Sequence, residues 1–161
     1  MSKAQTVPTT AVDPTVAAAA SQFLSPVVLG LEALTVNGKQ AHWHVRGANF
    51  VGVHELLDTI VAHAGDFADT AAERIVALGL PIDARIDTVA AKAGTTAVPA
   101  GFAQSDEIIR AVISDIDTIL ADVKAAIDGL DEVDLTSQDV AIEIMRGLEK
   151  DRWFLVSHIA A

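Results

Sequence analysis

Apolar residues recur along most of the chain at the three- and four-residue spacing of a helix face, interrupted by short polar or glycine-bearing stretches. In PVVLGLEALTVNGKQAHW the apolar positions 27, 28, 31, 34 and 41 keep that spacing. Asn37-Gly38 marks a hairpin only between alternating strands, so the segment reads as helix. This first helix is expected to open at Asp13-Pro14, a capping residue followed by proline in the first turn, and to run to about Val45. Pro26 leaves two readings: a kink, or a true start at Ser25-Pro26 with the preceding alanines forming a separate turn. RGANFVG then breaks the pattern. A second helix is predicted from about Val53 to Leu78, with Leu56, Ile60, Phe67, Ala71 and Ile75 near one face and Gly79 and Pro81 as its stop. Residues 82–104 hold Gly94, Pro99 and Gly101 around RIDTVAAKA, a long connection with one small helix. Ser105-Asp106-Glu107 is expected to cap a third helix ending near Gly129, and DEVDLTSQD to lead into a fourth that reaches His158. Residues 1–12 lack the apolar period and are expected to be a flexible tail, which leaves 13–161 as the folded domain.

Four long helices with one long connection make an all-α four-helix bundle, ferritin-like in topology, with the short helix between helices two and three. The composition agrees: 161 residues, 51% of them apolar, suffice for one domain with a real core. Cysteine is absent, which removes disulfides and confines any metal ligands to nitrogen and oxygen. The start of the chain lacks the basic and apolar regions of a secretory signal, so a soluble cytoplasmic protein is expected, with no membrane span. The net charge of -11 speaks against free binding to a polyanion and suits cations instead.

HWHVRGANFVGVHELLD, residues 42–58, concentrates candidate ligands. His54 and Asp58 are four apart, so on one helix they share a face and can grip a cation from adjacent turns. Asp69 and Glu73 repeat that spacing on the same helix. Eleven residues separate Asp58 from Asp69, almost whole turns, so the pairs share a stripe but lie roughly 16 Å apart along the axis. One chain therefore cannot bring both to one ion. An antiparallel copy of the helix can, and a two-fold dimer then builds two equivalent sites at its interface. His42, at the end of the first helix, reaches the same place across the turn. An acidic pair on a helix is by itself commonly a solvated face; two aligned pairs plus His42 go beyond that. Such a mixed set suits iron, manganese or zinc.

KQAHWHVRGANFVGVHELLD followed by DFADTAAERIVALG resembles the Dps family of mini-ferritins, and the similarity extends to LEKDRWFLVSHI in the last helix. The resemblance implies a hollow homododecamer of four-helix bundles that oxidises Fe(II), preferentially with hydrogen peroxide, and stores the Fe(III) mineral, protecting against oxidative stress. It implies His42, His54 and Asp58 as ferroxidase ligands from one subunit, with Asp69 and Glu73 from its two-fold partner. Iron is then the expected metal, and peroxide or oxygen the oxidant. Trp43, beside the ligands, is either an acceptor of oxidising equivalents or a packed interface aromatic. The resemblance also puts three-fold pores near the start of the last helix, with Asp131, Glu132, Asp134, Asp139 and Glu143 as the carboxylates that draw iron in.

The family's DNA binders use lysine-rich tails. Residues 1–12 offer only Lys3, and the chain ends in HIAA, so a nucleoid-binding role is the weaker alternative. A further alternative is a hydrolase in which the same metal, with His44, activates water against an amide or ester. His44 stands where relatives commonly carry asparagine; it is a supporting group behind the ligands, an extra ligand or a turn residue. His63 and His158 fit no ligand spacing and are expected to be packing or surface histidines.

Overall fold

A computed structural model describes residues 12–160 of the chain. The expected tail, residues 1–12, lies outside the described residues except for Val12, as does Ala161. Helix α1 spans Pro14–His44, α2 Phe50–Ala77, α3 Ile86–Lys92, α4 Ser105–Leu130 and α5 Leu135–Ile159. Helices α1, α2, α4 and α5 form the bundle: α1 packs on α2 and α4, and α5 on α4 and α2. The short α3 sits in the connection between the second and third long helices, as predicted, and leans on α1.

Helix α1 opens where its sequence says it should. The Asp13 carboxylate accepts the Thr15 amide at 2.7 Å, and Pro14 occupies the first turn, where its missing N–H costs nothing. The helix then runs through Pro26 without ending, so Ser25-Pro26 is not its start. The reason is burial on both sides of the proline: Ala17, Ala20, Leu24, Val27, Val28, Leu31 and Leu34 are all in the core, and their packing outweighs one lost backbone bond. By length and composition α1 is apolar enough to cross a membrane, but here that apolar surface is the spine of the bundle. Asn37-Gly38 is helical too. A Cβ at Gly38 would stand 2.7 Å from Val61 Cγ2, so glycine lets α1 and α2 approach closely.

Helix α2 begins three residues earlier than predicted and buries Val53, Leu57, Ile60, Ala64, Ala68, Ala71 and Ile75. The large Leu56 and Phe67, expected in that stripe, are only half-buried beside it. The small Ala64 and Ala68 are buried instead. The end of α2 is as read: Gly79, at φ 88, donates to Val76 O at 2.9 Å while Leu80 donates to Ile75 O at 3.3 Å, a Schellman closure that satisfies the last carbonyls. At α4, Ser105 is the first helical residue rather than the cap, and Gln104 holds that position without a side-chain bond. Asp106 and Glu107 fall in the first turn, at the positive end of the helix dipole. The apolar periodicity does not foretell a small sheet. Val45–Arg46 (β1) and Ala103–Gln104 (β2) pair in parallel, Val45 with Ala103, tying the end of α1 to the end of the long connection.

Candidate metal centre

The end of α1 and the start of α2 run side by side, and this brings His42 and His54 together. Each ring binds the other residue's backbone: His42 Nδ1 donates to His54 O at 2.8 Å and His54 Nδ1 to His42 O at 2.9 Å. The rings stack, with centroids 3.6 Å apart and planes 21° from parallel. A ring nitrogen facing a carbonyl must carry the proton, so both Nδ1 atoms are committed as donors. Nε2 is then left on each ring as the atom free to bind a cation, and the carbonyl behind fixes its direction. His42 is buried, so its ring cannot swing into solvent.

Asp58, one turn beyond His54, lies next to the pair, with Oδ1 3.4 Å from His42 Nδ1. Its carboxylate also accepts from Lys39 Nζ at 2.5 Å. The Lys39 hydrogen bond is the main cause that holds the Asp58 carboxyl below the usual range; desolvation opposes it, and the charges of His42, Lys39 and His54 add to it. Lys39 carries no motif that marks it in the sequence. Its one signal was position: three residues before His42, it lies on the same face of α1.

Asp69 and Glu73 are exposed farther along α2, as the helix arithmetic required. Among the described residues of one chain, no three His, Asp or Glu side chains come close enough to hold a metal ion. One subunit thus presents two separated sets of candidate ligands. Trp43 is 61% exposed beside them.

His44 is not part of the imidazole pair. Its Nδ1 donates to Gln40 O at 2.8 Å, and its ring lies 5.3 Å from that of Phe102, over which the Arg46 guanidinium stacks at 3.4 Å. The Gln40 side chain donates to Ala100 O at 3.0 Å, so this cluster fastens α1 to the long connection. His158 is exposed near Gly52. His63 is more than a surface group, for it binds the buried Asp151, and no spacing rule could have paired two residues so far apart in the chain.

Of the candidate pore carboxylates, Asp131, Glu132, Asp139 and Glu143 are exposed around the α4–α5 turn, where Glu132 takes a left-handed φ of 59. Asp134 is engaged inside the subunit. It accepts from Arg74 Nη2 at 2.8 Å and from the Ser137 hydroxyl at 2.5 Å. Burial pushes its carboxyl up, but these bonds more than reverse the effect and leave it below the usual range.

A helical bundle with paired imidazoles on adjacent helices and carboxylates along one of them defines a ferritin-like protein, and the ferritin-like domain profile matches residues 32–161. The DNA protection during starvation protein of Agrobacterium fabrum is 34% identical over 122 residues, spanning 75% of this chain and 75% of that one. Among solved structures, Dps from Microbacterium arborescens in the high iron form superposes with a TM-score of 0.92 at 70% identity, covering 94% of this chain and 99% of that one. Dps from Mycobacterium smegmatis reaches 0.88 at 26% identity, covering 98% and 96%. The chain belongs to the Dps family. With that come iron binding and storage, a protective role and a multi-subunit cage.

Proposed function

We propose that this protein is a cytoplasmic ferroxidase and iron-storage cage of twelve chains, whose reaction sites lie between two-fold-related copies. His42, His54 and Asp58 of one chain bind Fe(II) together with Asp69 and Glu73 of a second copy. The observation that carries this reading is the reciprocal pair of imidazole-to-backbone bonds, which commits both Nδ1 atoms and leaves two Nε2 atoms for a cation, with the Asp58 carboxylate close to the His42 ring. Histidines held by carbonyls at Nδ1 are the usual construction of a transition-metal site. The mixture of imidazole and carboxylate without thiolate suits iron that changes oxidation state.

Fe(II) is substrate here, and Fe(III) the product that is stored. Two ferrous ions supply the two electrons that, with two protons, reduce one hydrogen peroxide to two waters, so the oxidant is consumed without release of hydroxyl radical. The family resemblance implies peroxide as the preferred oxidant, and its two-electron reduction supports a role in protection from oxidative stress. The exposed carboxylates Asp131, Glu132, Asp139 and Glu143 draw cations toward the shell through their converging fields, whereas Asp134 acts mainly as a structural anchor. The acidic net charge of -11 gives no support to direct DNA binding.

The test is stopped-flow oxidation of Fe(II) by the assembled protein with peroxide and with oxygen in turn. Peroxide should give the faster reaction, and the product should remain soluble with the shell. His42→Ala combined with His54→Ala should abolish the fast phase; unchanged kinetics in that variant would remove both histidines from the site.

A further inference from the structure

The contact between α2 and α5 is built in rungs. His63 meets Asp151; one turn along each helix, Phe67 fits the notch at Gly147, where a Cβ would stand 2.2 Å from the ring's Cζ. Farther along, Arg74 reaches Ser137 and Asp134. Packing accounts for the second rung and the anchoring of the α5 start for the third. The first lies outside the proposed iron chemistry and is costly. Asp151 is 1% exposed in a core made mostly of aliphatic side chains, and a carboxylate is expensive to take out of water. His63 Nδ1 lies 3.0 Å from both of its oxygens and donates between them. Among the described residues, the charges acting on Asp151 are His63 from α2 and Lys150 from its own helix. On the α4 side the neighbouring Arg152 is taken by Asp117, at 2.5 and 3.1 Å. On α2, the charged residue nearest His63 in sequence is the exposed Asp66.

We propose that His63 and Asp151 form a proton-operated clasp: the pair ties α2 to α5 while the carboxylate is charged, and the tie slackens when the carboxylate takes up a proton. The chemistry fits. A charge-assisted bond to an ionised carboxylate is about twice as strong as its neutral counterpart. Burial pushes the Asp151 carboxyl above the usual range, and the hydrogen bond from His63, then its charge and that of Lys150, pull it partly back. A carboxyl raised in the folded state costs nothing in acid, where it is protonated both folded and unfolded. Its charge becomes a burden as pH rises through the folded value. The contribution of His63 therefore belongs to the alkaline side of that step. Because α2 carries His54, Asp58, Asp69 and Glu73, the clasp governs how firmly the ligand-bearing helix is held.

The experiment follows thermal unfolding of the full chain, without metal and at fixed protein concentration, from about pH 8 to about pH 4.5. His63→Leu fills the space without the bond. It should lower the midpoint by about 5 to 10 °C at the alkaline end, with the deficit closing to about 2 °C or less at the acid end. In an Asp151→Asn background the same substitution should have an effect that no longer changes with pH. A His63→Leu deficit equal at both ends would overturn the clasp, as would a pH-dependent deficit that survives in Asp151→Asn. Should His63→Leu fold at neither end, Asp151→Asn alone decides. It should flatten the pH dependence of the parent midpoint, and an unaltered slope overturns the proposal. No iron enters these measurements, so their outcome is independent of the ferroxidase reading.

Discussion

At the scale of single residues, the candidate centre was partly legible. Helical spacing puts His54 with Asp58 and Asp69 with Glu73 on one stripe, and His42 stands across the turn at the end of the preceding helix; their reading as one ligand set rests on the family resemblance. What the sequence could not carry is how the rings are oriented. The reciprocal bonds between His42 and His54 use backbone carbonyls, which every residue possesses and no motif encodes. Lys39 was hidden for a related reason: a lysine three residues before a histidine is ordinary, and its meaning lies in reaching Asp58 on the next helix. That contact has a measurable consequence. The ammonium holds the carboxylate that a cation needs, so binding a metal at Asp58 requires Lys39 to let go. Lys39→Met should therefore tighten metal binding, by up to about fivefold because the pair is solvent-accessible and exposed ion pairs are weak. Competition titration of the iron-free assembly with zinc checks this, and weaker binding in the variant would mean that Lys39 supports the site rather than competing for it.

At the scale of elements, periodicity found all four long helices and the short one between them. It erred where residue size and burial part company, taking Leu56 and Phe67 for the stripe that Leu57 and Ala68 actually occupy. Spacing identifies a face to within about one residue, and only close helix packing decides which neighbour turns inward. Glycines show the same limit. Nothing around Gly147 or Gly129 announces a notch, yet each receives a phenylalanine ring, Phe67 and Phe23 respectively. Gly147→Ala should improve intrinsic helix propensity but drive a methyl into the Phe67 ring. The expected net result is a loss of about 1 to 3 kcal/mol, read as a lowered denaturation midpoint with an unchanged slope. A stabilised variant would show that α2 and α5 can move apart freely.

At the scale of the whole molecule, one subunit holds two separated ligand sets, and helix arithmetic alone anticipated that separation. Eleven residues of helix are too long for one ion to bridge, so the spacing implies a partner chain; among the described residues no three His, Asp or Glu side chains close up as a metal cluster, His42, His54 and Asp58 included. Cage formation itself was legible only through resemblance, since a flat helix face does not state how many copies will meet. Light scattering should find a particle of about twelve chains, each with a charge of -11, and such a shell should leave DNA unretarded in a gel even at low salt. A retarded band that vanishes as salt is raised would reveal a local basic surface that the net charge conceals.

The small parallel pairing of Val45 with Ala103 says something about the order in which this chain comes together. It closes a loop that contains all of α2 and α3, so its loop-closure entropy must be met by contacts made elsewhere. The pairing is therefore expected to form late in folding and to open early. The expected sign is that the backbone amides of these two short strands exchange hydrogen well before those of the helices, and equal protection in both would place the pairing among the firm parts of the fold.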